Sequence, residues 1–419
     1  MGFFAGVQKP PEDPLLGLNA QFVEDESPSK VNLTVGAFRD EDGLPYPLPV
    51  VRKAEQRVAN DPAFDHEYLP IDGSKAFCTK TAELMFGDCN VLKAGAVATV
   101  QAVGGTGGLR LAFEFLRKCV RIGQNDLVVY LPNPTWPNHP NIAREAMVSP
   151  DCIHRYPYYD DDKKSLAFKS MIKVLNAAPR GAVVLLHMCA HNPTGMDPSQ
   201  SQWETIGEQV VRERELIALF DNAYQGFATG SLDTDAFPVR LFARLGLHFL
   251  VVCSFSKSLG LYSARTGALH VVCASAEEAS AVRGQLRSLA RPMYSNPPAA
   301  GAKVTAMILS DPMLERQWRE ELAGMAGRIG KMRVLLTDAL VANGAPGSWD
   351  HLTNQRGMFG YTGLTRSQVE RLREKWHVYM SATGRVSMAG VNEGNVELSC
   401  CCSHPFALTR ATVCCPEYR

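Results

Sequence analysis

Neither sign of charge is in excess in this sequence. Its 419 residues include 43 lysines and arginines and 43 aspartates and glutamates, so the formal net charge at pH 7 is zero. A neutral total gives no overall electrostatic reason to expect nucleic acid or an anionic membrane as a partner. The sequence also has no apolar run long enough to span a bilayer. We therefore expect neither nucleic acid nor a membrane among its partners.

Targeting signals are missing as well. The stretch from Met1 to Gly6 has no basic region followed by a long apolar segment and is not rich in Arg and Ser, so neither a secretory signal nor a transit peptide is predicted. Position 6 is Gly where a myristoylation signal has Ser or Thr, and the C-terminal Glu417-Tyr418-Arg419 is not a peroxisomal address. The expected location is the cytosol.

The spacings that mark metal and nucleotide sites are absent too. Seven of the 12 cysteines stand singly in apolar surroundings, which is typical of buried reduced thiols. The other five, in Cys400-Cys401-Cys402 and Cys414-Cys415, include no CxxC pair, so we predict no metal site. The glycine run 104–108 matches neither the dinucleotide fingerprint nor the P-loop, which argues against nicotinamide and ATP cofactors.

The chain does contain an alternation of apolar runs and helical patterns. Continuous apolar runs with the length of strands occupy residues 127–131, 182–186, 216–220, 249–253 and 267–272. Segments such as 109–120, 202–214 and 314–341 carry apolar residues at helical spacing. Apolar strands separated by helices predict an α/β protein with a mostly parallel central sheet sandwiched by helices.

Chemically capable side chains follow these apolar runs. Lys257 comes just after the run 249–253, and burial there would lower the pKa of its amine and favour Schiff-base chemistry. Asp221 directly follows the run 216–220, with Tyr224 one short turn later. Taken alone, a lysine or a carboxylate at a strand end is more often a surface residue or a turn cap.

Ligands of parallel sheets bind where the carboxyl ends of the strands open into loops, and all of these groups fall in such loops. The glycine run precedes an amphipathic pattern, so free backbone N–H groups and the helix dipole would face an anion there. Trp136 and Asn192 follow two further runs. A phosphate cradle, an aromatic platform, a carboxylate, a phenol and a lysine suit an aromatic, phosphorylated, carbonyl-bearing cofactor, and pyridoxal phosphate fits that description.

Separated motifs extend this pattern over most of the chain, from roughly residue 10 to residue 397. With these motifs the chain resembles the aspartate aminotransferases, which are class I, fold-type I, pyridoxal-phosphate-dependent enzymes. The motifs are Val31 to Arg39, His66 to Pro70, Gly104 to Gly107, Asn133 to Pro140, His191 to Gly195, Asp221 to Gly226, Ser254 to Lys257, Arg291 to Pro298 and Gly357-Met358-Phe359.

The resemblance implies catalytic roles. Lys257 would be the lysine that binds the cofactor covalently and moves the substrate's α-proton. Asp221 would pair with the pyridinium nitrogen, and His187 would support Asp221 without touching the cofactor. Tyr224 and Asn192 would hydrogen-bond the cofactor's phenolate oxygen.

The resemblance also implies binding roles. Trp136 would stack on the cofactor ring and border the substrate. The phosphate would be held by Gly105, Thr106, Ser254 and Arg265, together with Tyr68 from a neighbouring subunit. Arg385 would clamp the substrate's α-carboxylate, and Arg291 would reach across a dimer to the distal carboxylate, because the planar guanidinium matches a carboxylate and stays charged. Gly36 would allow close approach of the backbone to the substrate.

The chain is too long for one simple core, so two lobes are expected. We predict a large cofactor-binding lobe over residues 46–320 and a small lobe from 1–45 and 321–419, in which 1–14 form an N-terminal arm. After Glu397 the sequence lacks helical periodicity, and Pro405 would interrupt a helix. Residues 398–419 are therefore expected to be an atypical, poorly ordered tail.

The resulting hypothesis is a cytosolic homodimer with shared active sites. It would exchange the amino group between aspartate plus 2-oxoglutarate and oxaloacetate plus glutamate, because two arginine clamps imply dicarboxylic amino acids and 2-oxo acids as substrates. Two alternatives stay open: a broader aspartate and aromatic aminotransferase, and a relative whose catalysis is impaired by the altered C-terminus. A lyase or decarboxylase of the same fold is disfavoured by the paired carboxylate clamps.

Overall fold

The computed structural model describes residues 2–10, 14–63, 65–120 and 126–397. In this part of the chain seven strands form one central sheet. Numbered along the chain, they are Val97–Val103 (β1), Val129–Asn133 (β2), Ile153–Pro157 (β3), Val183–His187 (β4), Ile217–Asn222 (β5), Phe249–Ser254 (β6) and Thr266–Val272 (β7). Their order across the sheet is β1-β7-β6-β5-β4-β2-β3. Strand β7 is antiparallel to both neighbours, and all other neighbours in the sheet run parallel. The prediction of a mostly parallel sheet is confirmed.

Both faces of the sheet are covered. Along β4, Val184 and Leu186 belong to one apolar cluster, whereas Val183 and Leu185 belong to another on the opposite face. Successive side chains of a strand point to opposite faces, so a strand covered on both sides is a continuous apolar run. This explains why the five apolar runs of the sequence all coincide with strands.

Two strands of the sheet, β1 and β3, have no counterpart among the predicted runs. Both lie at the edges of the sheet. Strand β3 exposes His154 and Arg155, and β1 places Thr99 and Gln101 between its apolar residues. Edge strands have one unpaired side and tolerate polar and charged residues, so their apolar signal is weak.

The layers around the sheet are helical. In the described residues the α-helices are Pro14–Glu24, Pro49–Ala59, Lys75–Phe86, Asn90–Lys93, Gly104–Cys119, His139–Glu145, Phe168–Asn176, Gln200–Thr205, Leu232–Asp235, Phe237–Arg244, Phe255–Ser258, Ala276–Tyr294, Ala299–Ser310, Pro312–Ala342, His351–Asn354 and Arg366–Trp376. A π-helical segment, Ile206–Arg212, continues Gln200–Thr205, and 3₁₀ turns occupy Pro150–Cys152 and Met388–Gly390. None of the helices in the described ranges has the length and apolar character required to cross a membrane.

Short strands join distant parts of the chain outside the central sheet. Val31–Asn32 pairs in parallel with Val378–Tyr379, which ties the two chain ends together. Phe359–Tyr361 pairs antiparallel with Arg385–Ser387. A third, antiparallel pair joins Tyr159–Asp160 to Ser165–Leu166. The division into lobes at residues 45/46 and 320/321 stays a prediction, and the tail 398–419 lies outside the described residues.

The helix Pro312–Ala342 passes through the predicted boundary at 320/321 without a break. Asp311 caps its start by accepting hydrogen bonds from the N–H groups of Met313 and Leu314, which satisfies donors that the first turn leaves free. Trp318 donates through Nε1 to the carbonyl of Ser258, next to Lys257, at 2.7 Å. A residue of this helix therefore contacts the segment that follows the carboxyl end of β6.

Candidate active site

Lys257 lies in the short helix Phe255–Ser258 at the carboxyl end of β6. Its Nζ donates a hydrogen bond to the carbonyl of Gly36 and lies 4.7 Å from the ring centre of Tyr262. Burial, followed by the positive charges of Arg385 and Arg265, lowers the pKa of this amine to about 8. Near neutral pH an appreciable fraction of the side chain is therefore the uncharged amine, which is the nucleophilic form.

Asp221 is the corresponding carboxylate at the end of β5, where it pairs in register with His187 of β4. Its Oδ2 lies 3.0 Å from Nε2 of His139. Burial by itself would raise the pKa of Asp221, but the hydrogen bond from His139 and the electrostatic interaction with that ring outweigh burial and lower it. Asp221 is thus ionised at neutral pH although it is buried.

A directional chain of hydrogen bonds leads to Asp221. The backbone N–H of Asn192 can only donate, and it lies 3.4 Å from Nδ1 of His187. Nε2 of His187 lies 3.2 Å from the hydroxyl of Thr135, and that hydroxyl lies 2.8 Å from Nδ1 of His139. Since a donor begins the chain and an ionised carboxylate ends it, the hydrogen bonds place a hydrogen on Nε2 of His187 and on Nε2 of His139, and the Thr135 hydroxyl donates to Nδ1 of His139.

His139 and Thr135 are the residues that the motif analysis missed. The side chain of His187 is linked to Asp221 through Thr135 and His139, and its support of Asp221 stays a prediction. The available signal was the position of His139 inside the motif Asn133 to Pro140. Burial lowers the pKa of His187 to about 3, with a further decrease from the charge of His139, so His187 stays neutral.

Tyr224 and the side chain of Asn192 connect the relay to Arg385. Tyr224 is buried, and burial raises the pKa of its hydroxyl even though the charge of Arg385 and a hydrogen bond with Asn192 act in the opposite direction. The Asn192 Oδ1 accepts a hydrogen bond from Nη1 of Arg385 at 3.4 Å. The phenol, the amide and the guanidinium are therefore in one group.

Arg385 is a buried cation without an anionic partner. One Nη donates to the carbonyl of Thr34 at 2.8 Å, the guanidinium lies 4.3 Å from the ring centre of Phe359, and Nε has no hydrogen-bond partner. Among the described residues no ion pair includes Arg385, and burial lowers its pKa. A buried guanidinium with a free N–H suits a carboxylate ligand, because an unpaired buried charge is costly.

The glycine run lies at the carboxyl end of β1 and forms the first turns of Gly104–Cys119. The expectation that these glycines precede the helix is wrong by one turn, but their N–H groups still lie at the helix N-terminus. A Cβ on Gly104 would lie 2.5 Å from Nη2 of Arg265, and one on Gly105 would lie 3.0 Å from Cβ of Ser254. Arg265 also donates to the hydroxyl of Ser256 at 3.3 Å. A helix N-terminus beside a guanidinium suits a phosphate group.

The remaining predicted residues divide into two sets. Trp136 is partly buried and meets His139 edge-on at 5.2 Å, and a Cβ on Gly36 would lie 2.6 Å from Cζ of Phe359. By contrast, Tyr68 is 82% exposed, and Arg291 is exposed and donates to the hydroxyl of Ser295. Within one chain, Tyr68 and Arg291 are therefore not part of the group around Lys257.

A cleft of about 520 Å³ leads to this group of residues. Its lining includes Pro134, Thr135, Asn192 and Arg385, together with residues of the helix Arg366–Trp376. No cluster of three or more potential metal ligands occurs among the described residues. The cysteines of the tail lie outside that range.

An amine with a lowered pKa, a buried ionised carboxylate, a helix N-terminus beside a guanidinium and an unpaired arginine together suit amino-group chemistry on a carboxylic acid. Residues 28–400 match the model of the family described as aminotransferase class I and II. The chain belongs to this family, whose members depend on pyridoxal phosphate.

Particular relatives narrow the comparison. The chain is 47% identical over 390 residues to a cytoplasmic aspartate aminotransferase of Oryza sativa subsp. japonica. The aligned residues make up 93% of this chain and 94% of the rice protein. Other relatives carry mitochondrial and chloroplastic names. A cytoplasmic aspartate aminotransferase of Saccharomyces cerevisiae superposes with a TM-score of 0.91 at 40% identity, covering 96% of this chain and 97% of that one.

An aromatic-amino-acid aminotransferase of Burkholderia pseudomallei is equally similar in structure. Its TM-score is 0.91 at 40% identity, with 96% of this chain and 98% of that chain covered, and it is covalently bound to pyridoxal phosphate. These likenesses confirm the predicted family and the fold-type I architecture.

Proposed function

We propose that the protein is an aspartate aminotransferase. It transfers the amino group of L-aspartate to 2-oxoglutarate in a ping-pong cycle and releases oxaloacetate and L-glutamate. The observation that carries this proposal is Arg385, a buried and unpaired guanidinium in the same group of residues as the amine of Lys257. The aspartate aminotransferases of rice and yeast, similar over more than nine-tenths of the chain, support the choice of substrate.

The residues present fit pyridoxal phosphate as the cofactor. When bound, it supplies an aldehyde that links to amino groups and a ring that withdraws electrons from the substrate's α-carbon. Gly105, Thr106, Ser254 and Arg265 would hold its phosphate, because the helix N-terminus and the Arg265 guanidinium lie side by side there. Asp221 would hold a proton on the ring nitrogen, since its own pKa is lowered and it stays ionised.

The protein's own groups account for substrate orientation and proton movement. Arg385 binds the α-carboxylate through its free N–H, and Asn192 holds the guanidinium at its other edge. Lys257 Nζ accepts the α-proton and returns it, because a pKa of about 8 makes both protonation states accessible near neutral pH. Tyr224 and Asn192 would stabilise the oxygen on the cofactor ring, and Trp136 would stack on that ring.

We propose further that two copies of the chain share their active sites. Arg291 and Tyr68 are exposed on the single chain, and Arg291 donates a hydrogen bond to Ser295. In a homodimer Arg291 would bind the distal carboxylate and Tyr68 the phosphate of the neighbouring site. Sedimentation equilibrium should give twice the chain mass of 45.9 kDa. A monomer that still transaminates aspartate would contradict the shared site.

A half-reaction tests the catalytic proposal. The purified, cofactor-loaded protein is mixed with L-aspartate alone, and oxaloacetate is quantified together with the cofactor's absorbance. One equivalent of oxaloacetate per chain is expected, and 2-oxoglutarate should reset the absorbance. Lys257→Ala should abolish the conversion, whereas conversion at the original rate would show that Lys257 does not move the proton.

A broader enzyme for aspartate and aromatic amino acids is the second candidate. The aromatic-amino-acid aminotransferase from Burkholderia pseudomallei, with its TM-score of 0.91, favours it. The discriminating quantity is the ratio of kcat/KM for L-aspartate to that for L-phenylalanine. We expect the ratio to exceed about tenfold, which corresponds to about 1.4 kcal/mol of differential transition-state binding. Faster turnover of phenylalanine would replace the first proposal by the second.

We also propose a cytosolic location. The support is the cytoplasmic name of relatives in rice and Dictyostelium discoideum at 47% and 46% identity. Fractionation of cells that produce the untagged protein tests it. Recovery with mitochondria or plastids would overturn it.

A further inference from the structure

Arg333 is a second buried guanidinium that the catalytic scheme does not use. It lies in the middle of the helix Pro312–Ala342 with 3% of its surface exposed. Burial lowers its pKa to about 9. None of the ion pairs among the described residues includes it. A buried arginine without a carboxylate is expensive, so its hydrogen bonds must be made elsewhere.

The side-chain hydrogen bonds of Arg333 to the described residues go to one segment of the chain. Nη1 donates to the carbonyl of Leu352 at 3.3 Å, and Nη2 donates to the carbonyls of Gly357, at 2.7 Å, and Phe359. We name residues 352–359 the Phe359 segment. Carbonyl oxygens satisfy the N–H groups but leave the positive charge in place, so Arg333 fixes this segment without adding an anion near the site.

The Phe359 segment forms the floor of the predicted carboxylate site. The Phe359 ring lies against the guanidinium of Arg385, with 4.3 Å between ring centre and Cζ, and it meets the ring of Tyr224 edge-on at 5.6 Å. The ring also fills the space beside Gly36, where a Cβ would come within 2.6 Å. The strand that begins at Phe359 pairs antiparallel with the strand that begins at Arg385.

The same segment contacts the loop that carries Asn192. The N–H of Arg356 donates to the carbonyl of Gly195 at 2.6 Å. A Cβ on Gly357 would lie 2.3 Å from Cβ of Ala190. The Phe359 segment is therefore packed between Arg385 on one side and the Asn192 loop on the other.

We propose that Arg333 is a positioning residue for the substrate-carboxylate site, acting through the Phe359 ring on Arg385. The three carbonyl bonds set the position of the ring, and the ring sets the plane of the Arg385 guanidinium and its free Nε. A carboxylate partner for Arg333 would introduce a protein anion close to Arg385, where it would compete with the substrate. Coordination by carbonyls alone avoids that competition. This inference rests on the proposed function, in which Arg385 binds the substrate's carboxylate.

Succinate binding to the cofactor-loaded protein tests the inference, because succinate has two carboxylates and no amino group to transfer. Its Kd is measured by calorimetry for the wild type, Arg333→Lys, Phe359→Leu and the double variant. Arg333→Lys keeps the charge but loses the planar fork, so the Kd should rise about tenfold. When Phe359 is already Leu, adding Arg333→Lys should change the succinate Kd less than about twofold. The reason is that the effects of two residues on binding are not additive when one acts through the other.

Arg319→Lys is the matched control. Arg319 lies on the same helix, but it is about one-third exposed and pairs with Asp233 at 2.9 Å and Glu315 at 2.8 Å. Its replacement should leave the succinate Kd unchanged. Thermal unfolding of every variant identifies changes that act only through stability.

Several results would overturn the inference. It is wrong if Arg333→Lys lowers the unfolding temperature but leaves the succinate Kd unchanged. It is also wrong if the fold-change in Kd of the double variant equals the product of the two single fold-changes. If Arg333→Lys does not fold, Phe359→Leu alone tests the inference. An unchanged succinate Kd in Phe359→Leu would show that the Phe359 ring does not position Arg385. A wild-type protein that binds succinate but does not transaminate aspartate would reject the proposed function and leave the role of Arg333 intact. One that does not bind succinate would reject both.

Discussion

At the scale of single residues, Lys257 has an amine whose pKa falls from 10.5 to about 8, through burial first and two nearby arginines second. Because the folded state holds this proton less tightly than the unfolded chain, the buried lysine destabilises the fold below pH 8. The penalty decreases as the pH rises from about 8 to 10.5. The property that makes Lys257 reactive therefore costs stability.

Lys257→Met should stabilise the cofactor-free protein at pH 7 by about 1–3 kcal/mol, because it removes the partly buried charge but keeps an apolar stem. The free energy of unfolding is measured in urea for both proteins at several pH values. The difference should shrink as the pH rises above 8. Equal stability at pH 7, or a difference that does not depend on pH, would contradict this account of the amine.

Thr135 determines the order of the relay to Asp221. Thr135→Val removes the hydroxyl that lies between His187 and His139, which leaves two buried ring nitrogens without partners. The free energy of unfolding should fall by about 1–3 kcal/mol. Thr135→Ser keeps the hydroxyl and loses one methyl group, so its loss should be about 1 kcal/mol or less. Equal losses in the two variants would mean that the hydroxyl contributes nothing.

At the scale of secondary-structure elements, the helix Gly104–Cys119 depends on its glycines for packing as well as for anion binding. A Cβ on Gly108 would lie 2.7 Å from Cγ1 of Val252 in β6. The helix therefore lies closer to the sheet than any residue with a side chain would permit at this position. Its N-terminus is consequently held next to Arg265 and Ser254.

Gly108→Ala should lower the free energy of unfolding by about 1–3 kcal/mol, because the extra methyl forces the helix away from β6. It should also weaken binding of pyridoxal phosphate. Gly327→Ala is the control, since a Cβ there meets nothing within 4 Å, in the helix Pro312–Ala342. That change should stabilise by about 0.5–1 kcal/mol through helix propensity. Stabilisation by both changes would refute close packing at Gly108.

At the scale of the whole molecule, a single chain does not bring together every residue of the proposed site. Arg291 and Tyr68 lie at the surface, whereas Asn192 and Arg385 line the cleft. If the site is shared between subunits, two inactive variants can complement each other in a mixed dimer.

Lys257→Ala and Arg291→Ala, produced together, should recover about a quarter of the wild-type activity. Random pairing makes half of the dimers mixed, and each mixed dimer has one intact site out of two. Activity with aspartate is measured on the copurified protein and on each variant alone. If Arg291 served the site of its own chain, no mixed site would be complete, and no recovery would be observed.

The sequence predicted the fold through local signals. Strands β2, β4, β5, β6 and β7 were recognisable because strands covered on both faces are continuous apolar runs. The edge strands β1 and β3 were missed because polar residues interrupt them. The grouping of Lys257, Asp221, Tyr224 and Asn192 was predictable as well, since each follows an apolar run, and parallel strands bring their carboxyl ends to one edge of the sheet.

By itself, the sequence determined the α/β class, the mostly parallel sheet and the motifs of the aminotransferase family, because apolar periodicity and residue order are local properties. Only the tertiary structure decided which groups complete the site. The contact of His139 with Asp221 joins residues 82 positions apart, and that of Arg385 with Asn192 joins residues 193 apart. The hydrogen bond from Arg333 to the carbonyl of Phe359 is also a tertiary contact, which joins a helix to a segment beside the proposed carboxylate site. Such contacts depend on how the elements pack, and no spacing along the chain encodes that packing directly.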